Sequence, residues 1–161
     1  MNILKIFFVT IILFLVSGIS NAGTKHEFSG KAFNINTNAE PITTATGISM
    51  GSWTNNSFWI YDNAPEGWPN QVRANCSGKG LFGSEGVPVT AYFICHVWDS
   101  EGDTFMTRGD LDPATWSGTW TFVKGTGKFE GVTGGGTWAP GPQFQGGDDV
   151  LTFISSVEIP N

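Results

Sequence analysis

Residues 89–98 read Val-Thr-Ala-Tyr-Phe-Ile-Cys-His-Val-Trp, with no glycine, proline or turn-forming polar residue among them. The two-residue period of a β-strand divides this run into two faces. Ala91, Phe93, Cys95 and Val97 share one, and Tyr92, Ile94, His96 and Trp98 share the other. Both are apolar. Residues 69–77 alternate more sharply, with Val72, Ala74 and Cys76 on one face and Gln71, Arg73 and Asn75 on the other. If the two segments are antiparallel neighbours, a Cys76–Cys95 bond brings their small apolar faces together, and this cysteine face is the expected core. The face of Tyr92, His96 and Trp98 is then expected to meet a ligand, a second subunit or a covering loop, because soluble proteins rarely leave a large apolar patch to water.

The same pattern recurs along the chain. Alternating, β-branched and aromatic segments predict strands at 26–36, 42–53, 57–62, 69–77, 89–98, 103–109, 117–124, 134–139 and 149–158. Beyond residue 22 no stretch carries apolar residues at helical spacing over the length of a helix. Asn63–Gly67 and Asp99–Asp103 hold the polar and glycine residues of tight connections. Eight or nine strands in one domain suggest a barrel or a sandwich.

Composition sets the outer limits. With 161 residues, 22 Gly, 7 Trp, 13 Phe and only 14% charged side chains, the chain is neither a disordered tail, a coiled coil nor a collagen. Eight Lys+Arg stand against 14 Asp+Glu with no basic cluster, which excludes nucleic acid as a partner. A chain of this size hides about two thirds of its unfolded surface, so its core needs no metal or cofactor to hold it.

Residues 1–22 place Lys5 before an apolar run from Ile6 to Val16 and end on Ser20-Asn21-Ala22. The run is short for a bilayer span and the final residues suit signal peptidase, so cleavage is expected after Ala22. This leaves a single domain over 23–161, periplasmic or secreted, that meets a membrane only through its leader. An oxidising compartment makes a Cys76–Cys95 disulfide the simplest account of the two cysteines. Its loop is worth about 3 kcal/mol in the chain-entropy model. A metal pair finds no support, since His26 and His96 show no ligand spacing.

Residues 118–134, Gly-Thr-Trp-Thr-Phe-Val-Lys-Gly-Thr-Gly-Lys-Phe-Glu-Gly-Val-Thr-Gly, resemble the "GTGKFxGxxG" signature of the allene oxide cyclase-like and dirigent-like barrel superfamily. Cys76-Ser77-Gly78, Cys95, Asp99 and Gly102-Asp103 are similar to the pattern of its exported bacterial members, and the likeness covers about residues 72–138. The resemblance implies an all-β fold, a single antiparallel eight-stranded barrel of calycin-like form, often oligomeric, with a lumen that binds a fatty-acid epoxide or phenoxy radicals in its plant members. It supplies no catalytic residue here. In the loop itself, Gly125, Gly127 and Gly134 are expected to adopt backbone angles closed to other residues, with Gly131 beside them, while Phe129 and Val132 tuck the loop onto the barrel end.

Other chemical signals are weak. Gly47-Ile48-Ser49-Met50-Gly51 matches a nucleophile elbow in letters, yet no helix is expected after it. Asp99–Asp103 begins like a calcium loop, but Thr104 stands where the sharp-turn glycine belongs, and a hairpin turn is expected. No metal and no cofactor are expected. Three functions compete: an exported barrel that binds a small apolar or aromatic molecule, a cyclase or isomerase that templates its substrate, and an interaction module using a tryptophan-rich face. The first is preferred, without identifiable catalytic residues. Tyr92, His96, Trp98 and Trp120 are its candidate ligand-binding residues, and a second copy of the chain is a further candidate partner.

Overall fold

The computed structural model describes residues 23–43, 47–83 and 87–161, so the signal-peptide reading of residues 1–22 lies outside the described residues. Eight antiparallel strands close into a barrel in chain order: β1 (Thr24–Thr43), β2 (Ser49–Asp62), β3 (Gln71–Phe82), β4 (Pro88–Trp98), β5 (Thr104–Asp112), β6 (Ser117–Gly125), β7 (Thr133–Gln143) and β8 (Asp149–Ile159). β1 pairs with β8 from Thr24↔Ile159 to Asn34↔Asp149, which leaves no free sheet edge. The all-β eight-stranded fold expected from the sequence is present.

Two of the expected strands need redrawing. Residues 42–53 and 57–62 are not separate elements, because Ile42 and Thr43 end β1 while β2 runs unbroken through Thr54-Asn55-Asn56. Those asparagines resemble turn formers, but each is opposed across the ladder, Asn55 by Asn36 and Asn56 by Ile35. Tertiary pairing overrides the local preference. Gly47 has a φ of 78° in the connection before Ser49, so the Gly-x-Ser-x-Gly letters open a strand and make no elbow.

Within β3 burial alternates residue by residue, with Val72, Ala74, Cys76 and Gly78 inside and Gln71, Arg73, Asn75 and Ser77 outside. β4 pairs with β3 so that Cys76 faces Cys95, and the two form a disulfide. The cysteine face is therefore the inner one. Tyr92, Ile94, His96 and Trp98 lie on the outer surface, where cross-strand neighbours break them up: Lys79 and Asp110 flank Tyr92, Arg108 flanks Ile94 and Arg73 flanks Trp98. The Arg108 guanidinium lies 5.5 Å from the centre of the Tyr92 ring.

Even-numbered connections differ from odd ones. Those after β2, β4 and β6 gather at one end of the barrel and close it as a floor. Trp68, in the connection from β2 to β3, is buried there with its ring 5.2 Å from Phe28, 5.2 Å from Phe129 and 6.0 Å from Phe122. Phe129 comes from the glycine-rich loop after β6, is fully buried, and meets Phe105 at 4.7 Å. Val132 is buried beside it, as the loop reading requires. The glycines divide their work differently from expectation: Gly127 (φ 55°), Gly131 (φ 75°) and Gly134 (φ 107°) hold left-handed angles, whereas Gly125 does not. Gly125 is needed for space, since a β-carbon there would overlap the backbone of Phe129.

Candidate functional site

The inner wall encloses a cavity of about 310 Å³ that opens at the end opposite the floor. The alternation that buries one face of each strand explains why it is apolar. Trp53 and Trp59 enter from β2, Phe93 from β4, Trp120 and Phe122 from β6, Trp138 from β7 and Phe153 from β8. Six of the seven tryptophans line it, and only Trp98 lies on the outer surface. At the mouth, each of the four connections presents one exposed apolar side chain: Ile48, Val87, Trp116 and Phe144.

So many rings would fill a barrel of this girth if they pointed at its axis. Instead several lie along the wall, each over a glycine on the adjacent strand. Trp53 is paired with Gly78, Phe93 with Gly109, Trp120 with Gly136, Trp138 with Gly118 and Phe153 with Gly30. A β-carbon at Gly78 would overlap the Trp53 ring, and one at Gly109 would overlap Phe93. Strand glycines that normally weaken a sheet here admit a close-lying ring.

One wall is polar. The Trp59 indole N–H donates to Ser57 Oγ at 2.7 Å, Ser57 donates to Asn34 Oδ1 at 2.6 Å, and Asn34 Nδ2 donates to Asp149 Oδ1 at 2.6 Å. The sequence of donors fixes the Asn34 amide with its NH₂ toward the carboxylate. Asp149 is half-buried, and burial raises its pKa above the ordinary carboxylate value, opposed by the Asn34 bond and helped by the Asp148 charge. The adjacent turn is tied to β1, where the Asn36 backbone N–H donates to Asp148 Oδ1 at 2.9 Å.

The second acidic group forms part of the floor. Asp99 Oδ1 accepts hydrogen bonds from the backbone N–H groups of Glu101, Gly102 and Asp103 at 2.8, 2.9 and 3.0 Å. Lys128 Nζ reaches across from the glycine-rich loop to Asp99 at 2.8 Å and Glu101 at 2.9 Å, while its backbone N–H donates to Asp103. Burial alone would raise the Asp99 pKa, but Lys128 and the turn N–H groups outweigh it and hold the carboxyl below its usual range. Glu101, Asp99 and Asp103 are close enough together to suggest a cation site. The loop's own ammonium answers their charge, and the hairpin-turn reading describes this segment.

Of the four candidate ligand-binding residues, Trp120 lines the lumen. Tyr92 borders the cavity but has its ring on the outer face, 41% exposed, and His96 and Trp98 lie outside with their rings 5.9 Å apart. They are not brought together. Sequence reasoning missed Asp149, Asn34, Trp53, Trp59 and Trp138. Inward parity along β2 could have grouped Trp53, Asn55, Trp59 and Tyr61, whereas the Asn34–Asp149 pair depends on the β1–β8 register.

No family model matches the chain. A stretch of 43 residues, 27% of this chain, is 42% identical to an isopentenyl-diphosphate Delta-isomerase of Leifsonia xyli subsp. xyli and spans 23% of that protein's length.

Proposed function

We propose that this protein is an exported binding barrel that takes a small molecule with an apolar or aromatic body into its lumen. The observation that carries this reading is the cavity itself, about 310 Å³ of aromatic-walled space open at one end. The exposed apolar residues around the mouth support entry of such a molecule from that side. The likeness of residues 118–134 to the allene oxide cyclase-like and dirigent-like superfamily supports the same reading, as does the Cys76–Cys95 bond for an oxidising location. Mature chains begin at Gly23 in this proposal. Native mass spectrometry of protein purified from its own host tests it: the expected result is a chain starting at Gly23 with a retained small molecule. A chain that neither retains nor takes up any naphthalene-sized apolar compound overturns the binding function.

A second reading, a cyclase or isomerase that shapes its substrate in the lumen, is favoured by Asp149. A half-buried carboxylate whose pKa burial raises is a better proton acceptor than an exposed one, as a general base in such a lumen would be. The short match to an isomerase points the same way. Turnover abolished by Asp149→Asn with binding retained would identify this reading.

A further inference from the structure

We infer that the lumen selects an amphipathic cation: a molecule whose apolar body lies among the aromatic walls and whose ammonium group pairs with Asp149 at the mouth. The inference rests on the lumen-binding reading and adds the charge of the ligand.

Three features of the wall carry it. First, among the described residues Asp149 is the only charged one lining the cavity, and no described lysine, arginine or histidine lines it. Among the described residues the ion pairs involve Lys25, Arg108 and Lys128, none of which reaches Asp149. A half-buried carboxylate gains from a cation, and an anionic ligand would be repelled by it with no described cation on the wall to offset the repulsion. Second, the group is held in place. Asn34 occupies one carboxylate oxygen, and Ser57 and Trp59 prevent the Asn34 amide from turning its carbonyl toward the acid. Asp149 is thus oriented before any ligand arrives, which reduces the ordering cost of binding. Third, the surroundings favour positive charge. The lining includes the rings of Trp53, Phe82 and Trp138, and aromatic quadrupoles attract cations.

The unpartnered indole N–H groups of Trp120 and Trp138 do not argue for an acceptor-bearing ligand instead. Each nitrogen lies against the wall, over Gly136 and Gly118 respectively, and has almost no accessible surface. Position also limits the cost of taking an ammonium from water. Asp149 begins β8 at the mouth, so the charged end keeps part of its hydration while the apolar end goes inward.

The test is calorimetric titration of the mature, disulfide-bonded protein with three matched probes: 2-(2-naphthyl)ethylammonium, 2-(2-naphthyl)ethanol and 2-naphthylacetate. The ammonium is expected to bind about tenfold tighter than the alcohol, and the alcohol tighter than the carboxylate. Asp149→Asn keeps an acceptor for Asn34 and should bring the ammonium to within about threefold of the alcohol, while the alcohol's own affinity changes little. Acetate binding equal to ammonium binding overturns the inference, and so does an ammonium preference that survives in Asp149→Asn. The ranking in the native protein decides the matter even if the variant does not fold. Failure of all three probes to bind overturns the lumen-binding reading and this inference with it, whereas equal binding of all three overturns the inference alone.

Discussion

The two ends of the barrel each contain an aspartate, and the contrast between Asp99 and Asp149 shows how differently the ends are built. At the floor, Asp99 is ringed by three backbone N–H groups and the Lys128 ammonium, and its pKa is held down. At the mouth, Asp149 has one amide donor, an acidic neighbour and, among the described residues, no paired cation, and its pKa is raised. A carboxylate fully answered by its own protein fastens two loops together. One left half-answered remains available to something else. The aromatic residues follow the same division, since Trp68 and Phe129 pack against their neighbours while Trp53 and Trp138 border open space.

The largest expected effect comes from opening the floor. Trp68→Ala removes a ring that touches Phe28, Tyr61, Phe122 and Phe129 at once. It should cost about 3–5 kcal/mol, a fall in melting temperature on the order of 10 °C, read by circular dichroism. A loss below about 1 kcal/mol would mean the floor is not the stable end.

Next is the clamp. Lys128→Met leaves Asp99 buried without its cation and should cost about 1–3 kcal/mol in a urea titration. The sign of the pH dependence follows from the lowered Asp99 pKa: the folded pKa lies below the unfolded one. Its contribution is therefore present above the unfolded value and is lost as pH falls through the folded one. Native protein should lose stability on acidification below about pH 4, and Lys128→Met should lose less over that interval. Parallel acid-unfolding curves for the two would remove Asp99 from the argument.

At the mouth the sign reverses. The raised pKa means that Asp149 binds its proton more readily folded than unfolded, so acidification through its folded value stabilises this end while removing the charge that an ammonium would meet. The described groups facing it are Asn34 on β1, Gln143 across from it on β7 and the neighbouring Asp148, and none of them is a cation that would oppose the shift. Asp149→Asn should therefore change stability at neutral pH by little or in the favourable direction, measured by the same melts. A loss comparable with Lys128→Met would make Asp149 a structural residue.

The smallest effect belongs to the outer surface. Changing both Tyr92 and Trp98 to Ser should leave the fold and the lumen intact, because neither ring enters it and polar neighbours already interrupt their face. If a second copy covers this face, the variant should show a lower native mass. An unchanged mass removes these residues from any interface.

Much of this architecture is readable from local pattern. The alternation at 89–98 and 71–77, the cysteine pairing and the buried Phe129 all follow from strand parity and turn chemistry that a few consecutive residues specify. Features that depend on register are not readable in the same way. Asp149 follows Gly146-Gly147-Asp148 and looks like the tail of a turn; only its place opposite Asn34 brings it into the lumen. Trp68 lies in an irregular connection with no period to reveal its direction. Asn55-Asn56 carries turn residues that the neighbouring strands hold extended.

The glycines beneath Trp53 and Phe93 have one more consequence. The space in this barrel is set by side chains the protein lacks, which makes its volume adjustable from behind the wall without touching any surface a guest would contact. Adding a methyl group at Gly78 or Gly109 would lift the overlying ring toward the axis, so the bore could be narrowed in steps from the neighbouring strand. A lineage or a designer could in this way resize the chamber while its aromatic lining kept the same composition.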